Sequence, residues 1–314
     1  MNIGLSVASF VAMFMAMIGI TVVLRHRKLM SQSSMGLLSF LLMNVLCPAL
    51  IFSSMAQSRF DSSDLLAAMT MIGSEVVIGV LAYAIGRWVL RLERVSLGTF
   101  AIATMFGSSG LIGNALVKVL FHDNPVIISM SMIVGSFGNG IPGNTIGILI
   151  AMYIGTQSTG KSPFNTVKKF MVEPCMLSLY AGLAWSAMHL PTKGVLIETV
   201  FGTCTLLGAA LPLCSAMLIG LSLEKIQIGK DAKVIVAGII LALLIEPLLV
   251  SWFLHAFTVD TNTRLITILF AAMPASPIGV VLANRYGCDT PLASKLVTAT
   301  LIASAFTLPL AALF

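Results

Sequence analysis

Ten stretches of about 20 mainly apolar residues fill most of this 314-residue chain, and basic residues gather between alternate ones. At ~1.5 Å rise per residue, each stretch is long enough to cross a hydrocarbon core of about 30 Å as a helix. The spans read as 5–24, 35–56, 65–87, 97–119, 126–154, 170–190, 196–222, 234–256, 264–285 and 292–313. Charged residues make up 10% of the chain and hydrophobic ones 58%. An average soluble domain has about 25% and roughly 45–50%, so an ordinary soluble globule is excluded.

Arg25, Arg27, Lys28, Arg87, Arg91, Arg94, Lys161, Lys168, Lys169, Lys225, Lys230, Lys233, Arg285 and Lys295 fall on one side of these spans. Only Arg59, Lys118, Lys193 and Arg264 fall on the other. Basic loops are retained in the cytoplasm, so the pattern predicts a multi-pass protein of the cytoplasmic membrane with both termini outside. The first span lacks a preceding basic region and reads as a membrane helix, not a cleaved leader. The net charge of +6 follows from loops beside anionic lipid headgroups and points to the bilayer, with no nucleic-acid partner. Cys47, Cys175, Cys204, Cys214 and Cys288 have no CxxC spacing and read as small core residues. No metal site is expected. There is no HExxH, no intramembrane Asp pair and no mid-span His, so an integral-membrane hydrolase lacks its parts.

Residues recur at long period. Pro48 returns as Pro212, Glu75 as Glu246, Met105 as Met273 and Pro142 as Pro309, at offsets of 164, 171, 168 and 167. The spacing divides the chain into 1–158 and 159–314, joined by the linker Ser158 to Pro163, with five spans in each half. An odd number of spans turns the second half upside down, which gives an inverted repeat.

The fourth span of each half carries a break. Phe106-Gly107-Ser108-Ser109-Gly110-Leu111-Ile112-Gly113-Asn114 places three glycines in one, and Met273-Pro274-Ala275-Ser276-Pro277-Ile278-Gly279 places two prolines and a glycine in the other. Glycine costs about 1 kcal/mol and proline about 3 inside a helix, so both spans are expected to be interrupted at the same depth. Hydrocarbon cannot satisfy the freed N–H and C=O groups, so such breaks face protein or a water-filled cavity. If the two meet, half-helix N-termini offer partial positive charge to an anion, and Ser108, Ser109, Asn114 and Ser276 add dipoles. Alternatively they are tight-packing kinks.

Further polar residues lie at depth. Glu75 and Glu246 are the acidic residues near mid-span. Inserting a charge there costs roughly 2.5–3.5 kcal/mol, so each either holds a coupling proton or cation, or is a protonated group bonded to a neighbouring helix. Asn139 and Asn144 flank Pro142 and either satisfy freed carbonyls or touch substrate. Asn44 sits at i−4 from Pro48, where the proline leaves a carbonyl unpaired. Glu173 before Pro174 reads as a helix start. Lys118 and Arg285 lie beyond the breaks, where they steer anions or snorkel.

The stretch Asn44-Val45-Leu46-Cys47-Pro48-Ala49-Leu50-Ile51-Phe52 resembles a signature of the auxin efflux carrier family. Glu173-Pro174, Ala272-Met273-Pro274-Ala275 and Val281 through Gly287 also match, as does the last span with Ala293, Ser294, Thr300, Ser304, Thr307, Leu308 and Pro309. This resemblance covers essentially the whole chain. It implies an all-α polytopic fold of ten transmembrane helices in two inverted five-helix repeats, with scaffold and transport domains drawn from both. Helices 4 and 9 would be broken and would cross at the substrate site. Carried onto this chain, the site comprises Ser108, Ser109, Gly110, Gly113 and Asn114 with Pro274, Ala275, Ser276 and Pro277, and Asn139 and Asn144 nearby. The kinks are Asn44, Pro48, Pro142 and Pro212. Relatives often have Asn near Ser108 and Pro shortly after Gly113, and here the chain departs from them. The implied activity is elevator-like transport of a small organic anion such as malonate or malate, with H+ or Na+ as a possible coupling ion, no other cofactor and a possible homodimer. A bile-acid-type sodium-coupled carrier and an anion channel are the alternatives on the same architecture.

Overall fold

A computed structural model describes residues 3–311 apart from 32, 58–61, 122–124, 156–167, 169–170, 223–231 and 258. The linker at 158–163 and the loop residues Arg59, Lys161, Lys169, Lys225 and Lys230 lie outside the described residues. The elements are α1 (Ile3–His26), α2 (Ser34–Gln57), α3 (Asp64–Val89), α4 (Arg94–Met105), α5 (Asn114–Leu120), α6 (Pro125–Gly135) and α7 (Ile148–Ile154). They continue with α8 (Pro174–Ala187), α9 (Val195–Ser222), α10 (Ala232–His255), α11 (Thr261–Ala271), α12 (Ile278–Tyr286) and α13 (Thr290–Ala311). By length and composition, α2, α3, α9, α10 and α13 can each cross a membrane. The protein is an all-helical, polytopic membrane protein.

Three of the prolines inside helical runs are accommodated in the same way, while Pro309 lies inside α13 without a π turn before it. A π-helical turn spans Leu42–Leu46, Ser136–Gly140 and Leu241–Ile245, in each case ending two residues before a proline, at Pro48, Pro142 and Pro247. Proline has no N–H and its ring crowds the carbonyl four residues back. Widening the preceding turn relieves the crowding, and the residue before the proline still finds an acceptor. The residue before each proline donates to the carbonyl five back: Cys47 to Leu42, Ile141 to Ser136 and Glu246 to Leu241. Helical hydrogen bonding therefore continues up to the proline, as lipid requires. Asn44 donates its Nδ2 to the Phe40 carbonyl at 2.8 Å, a structural role. Pro212 follows an interruption of α9 at Ala210.

The helices pack in two groups. In the first, α2 lies along α8 and the front half of α9, and the rear half of α9 lies on α1. In the second, α3 packs on α4, α6 and α10, while α13 packs on α4, α10 and α12. Small residues allow the close crossings, since membrane helices associate by packing and not by expulsion of water. A Cβ on Gly182 of α8 would lie 2.7 Å from Met55 Cβ and 3.0 Å from the Phe52 carbonyl of α2. Phe52 also stacks on Phe201 at 5.7 Å, and Trp185 meets both rings edge-on. These rings pin α2, α8 and α9 together.

Among the described residues, polar links join the groups at the end that carries the basic loops. Ser39 Oγ donates to Asn284 Oδ1 at 2.6 Å, Arg285 pairs with Glu173 at 2.9 Å, and the Ser222 and Ser294 hydroxyls are hydrogen-bonded. At the opposite end, Asp260 caps α11 by accepting from the N–H groups of Asn262 and Thr263 and from the Thr263 hydroxyl. Slight burial pushes the Asp260 carboxyl up, but these hydrogen bonds outweigh it and hold the group below its ordinary value.

Two outcomes are expected. Gly182→Leu should lower the melting temperature of the detergent-solubilised protein, whereas Gly202→Leu, with open space around its Cα, should leave it unchanged. Asp260→Ala should cost about 1 kcal/mol through loss of the cap. Because the folded-state carboxyl is depressed, the cap's contribution is present above the ordinary Asp range and is lost as pH falls through the lowered value. The melting difference between wild type and Asp260→Ala should therefore shrink in acid.

Candidate functional site

The two breaks meet. Gly107 and Ala275 form an antiparallel bridge between the break after α4 and the break after α11. Ser108 N–H donates to the Pro274 carbonyl and Ser276 N–H to the Phe106 carbonyl, each at 2.8 Å. Ala275 N–H goes to Thr300 Oγ1 of α13 at 3.1 Å. The freed backbone groups thus satisfy one another across the crossing and need no lipid-facing partner. Gly107 has to be glycine-sized here, because a Cβ would come within 3.3 Å of the Met273 carbonyl.

A cavity of about 110 Å³ opens beside this crossing, several times the ~10–15 Å³ that one water needs. The crossing side supplies Ser108, Gly110, Asn114, Ser276 and Ile278, and the segment between α6 and α7 supplies Ser136, Asn139 and Asn144. Helices α2 and α8 form the opposite wall, which is mainly apolar. The N-terminal turns of both second half-helices, at Gly110 and Ile278, border the space and turn partial positive charge toward it. No charged side chain lines it among the described residues. The Ser108 hydroxyl and Asn144 Oδ1 are buried with no partner among the described residues. Buried polar groups left without a partner at the edge of a cavity are candidates to bond a ligand or water there.

Six of the residues singled out in the sequence converge on this wall: Ser108, Gly110, Asn114, Asn139, Asn144 and Ser276. Others serve the crossing itself. Pro274 and Ala275 supply backbone to the bridge, and Pro277 precedes the first turn of α12. Ser109 is fully buried and does not line the cavity. Gly113 has a packing role: a Cβ there would meet the Phe270 ring at 2.7 Å, and Gly135 receives the same ring.

Glu75 and Glu246 are buried, as their mid-span positions suggested. Asn139 Nδ2 donates to Glu75 Oε1 at 2.6 Å, which ties one of the acids to the cavity wall. Arg285 does not stand free at a mouth, because its guanidinium pairs with Glu173; Glu173 in turn precedes α8 as expected but makes no side-chain cap bond. The Lys118 side chain lies outside the described part of the structure.

Sequence reasoning passed over the α2 face. Cys47, Leu50, Ile51, Ser54 and Met55 all line the cavity, at the i, i+3, i+4, i+7, i+8 spacing of one helical stripe. The readable signal was Ser54, a hydroxyl on an otherwise apolar stripe. Cys47 and Cys175 are buried thiols, as expected of core residues, yet they too face the cavity.

Among curated proteins none matches the chain. The family model described as membrane transport protein, which represents the auxin efflux carrier family, matches residues 6–312. That interval takes in both breaks and every residue lining the cavity. By that match, this chain belongs to the membrane transport protein family of the auxin efflux carriers.

Proposed function

We propose that the protein is a secondary transporter of small organic anions, with dicarboxylates such as malonate or malate as the substrate class. It works by alternating access across the cytoplasmic membrane. The observation that carries this reading is the crossing: two interrupted helices, joined at Gly107 and Ala275, border a cavity with their N-terminal turns, and the unpartnered Ser108 hydroxyl of one stands beside it with Asn144 Oδ1 of the neighbouring segment. An anion held by helix ends and neutral dipoles is retained without a guanidinium clamp, so it can be released on the other side.

In this reading the chain forms ten transmembrane helices in two inverted five-helix repeats, 1–158 and 159–314, with both termini outside. Helices α1, α2, α8 and α9 are the scaffold. The remainder, carrying the crossing, is the transport domain and moves against it in an elevator-like step. The position of the cavity between the two packing groups supports this, since movement of one group past the other changes which side the cavity faces.

Proteoliposomes containing the purified protein are expected to take up radiolabelled malonate saturably, and faster when preloaded with unlabelled malonate. Ser108→Ala and Asn144→Leu should each raise the half-saturating concentration about tenfold, the loss of one hydrogen bond to a charged ligand at about 1.5 kcal/mol. Flux that rises linearly with concentration and ignores preloading would refute a carrier and indicate a channel.

A further inference from the structure

Glu75 on α3 and Glu246 on α10 are 0% and 2% exposed, on helices that pack together. Glu75 Oε1 is held by Asn139, and its Oε2 is fully buried with no partner among the described residues. The other charged groups on this pair's helices and on those packed around it stay within two turns of a helix end. These are Asp64 and Arg87 on α3, Arg94 on α4, Lys233 and His255 on α10, Arg264 on α11 and Lys295 on α13. Arg94 is bound to the Tyr153 carbonyl, and Arg264 to the Leu254 carbonyl and the His255 ring. Among the described residues, neither carboxyl forms an ion pair. Two buried carboxylates on packed helices, with no ion pair to either, would bear desolvation and mutual repulsion if both were ionised, and a proton bound by either one relieves both.

We propose that Glu75 and Glu246 form a proton-binding site coupled to the cavity through Asn139, so that a proton and an anion load together and cross as symport. This rests on the anion-carrier reading above. An ionised pair lies one side chain behind the cavity wall, where no described cation offsets it, and opposes an entering anion. Once protonated, the pair no longer does so. By linkage the proton raises anion affinity, and the anion raises proton affinity by the same factor. The step is a simple one: an O–H bond forms at a carboxyl oxygen with a proton taken from water on one side, and breaks to water on the other.

The test uses the full-length protein in proteoliposomes, with radiolabelled malonate as probe and a pH-sensitive dye in the lumen. For the wild type, lowering the external pH should reduce the half-saturating malonate concentration by up to about tenfold per pH unit, the limit for one linked proton. Uptake should also acidify the lumen. Glu75→Gln, Glu246→Gln and the double variant mimic the protonated state. They should retain malonate exchange but lose both the pH dependence and the lumen acidification. Infrared spectroscopy of the wild type should show a protonated-carboxyl band that gains intensity on malonate addition and is missing from the double variant.

Wild-type uptake without pH dependence, or the same pH dependence in the double variant, overturns the proposal. Should the variants fail to fold, a wild-type band that does not respond to malonate overturns it equally. Absence of saturable malonate exchange in the wild type at every pH overturns the carrier reading instead. In that event the acid pair is decided separately by whether a protonated-carboxyl band is present in the wild type.

Discussion

Hydrocarbon offers no hydrogen bonds, and much of this structure follows from that. A helix can be interrupted inside a membrane only if the peptide groups it releases find partners within the protein. Here each break is the other's partner. The Ser108–Pro274 and Ser276–Phe106 bonds form only when both helices are broken and brought to the same place. Neither break would be tolerable alone. The glycines of one and the prolines of the other are therefore two halves of one device, and the cavity is the space left where α-helical packing stops.

The chemistry of the cavity follows from the same economy. Its wall holds hydroxyls, amides and helix ends, and among the described residues no formal charge. The acid Glu75 is kept one layer back, behind Asn139, and at the end that carries the basic loops Arg285 is paired with Glu173. A site arranged in this way binds through geometry and does not grip its ligand by a full opposite charge, which suits a protein that must let go. Asn139 has a double position, with its amide on the acid and its side chain on the cavity wall.

Much of this could be read from the residues. Runs of apolar residues and the sidedness of Arg and Lys gave the polytopic helical class, and Gly107 through Gly113 with Pro274 and Pro277 marked where the helices stop. That the two breaks meet was implied by the family resemblance and not by the residues themselves, because the backbone bonds between them join residues more than 160 positions apart. Gly113 was misleading for a physical reason: a glycine that yields space to Phe270 looks the same in sequence as one that opens a site. The α2 face was missed because its cavity residues are almost all apolar, and hydropathy cannot distinguish a wall facing a small pocket from one facing lipid.

The π turns before Pro48, Pro142 and Pro247 bind two kinds of sequence change together. Each turn carries one surplus residue, and at 3.6 residues per turn one residue is worth about 100° of rotation. Losing the proline alone would leave that surplus to be absorbed by ordinary helix, swinging the downstream face, Ser54 and Asn144 included, away from its neighbours. Losing the surplus residue alone would drive the proline ring into a carbonyl. In these three helices the proline and the surplus residue therefore act together, so a change of residue type and a change of chain length have linked effects on which face each helix presents.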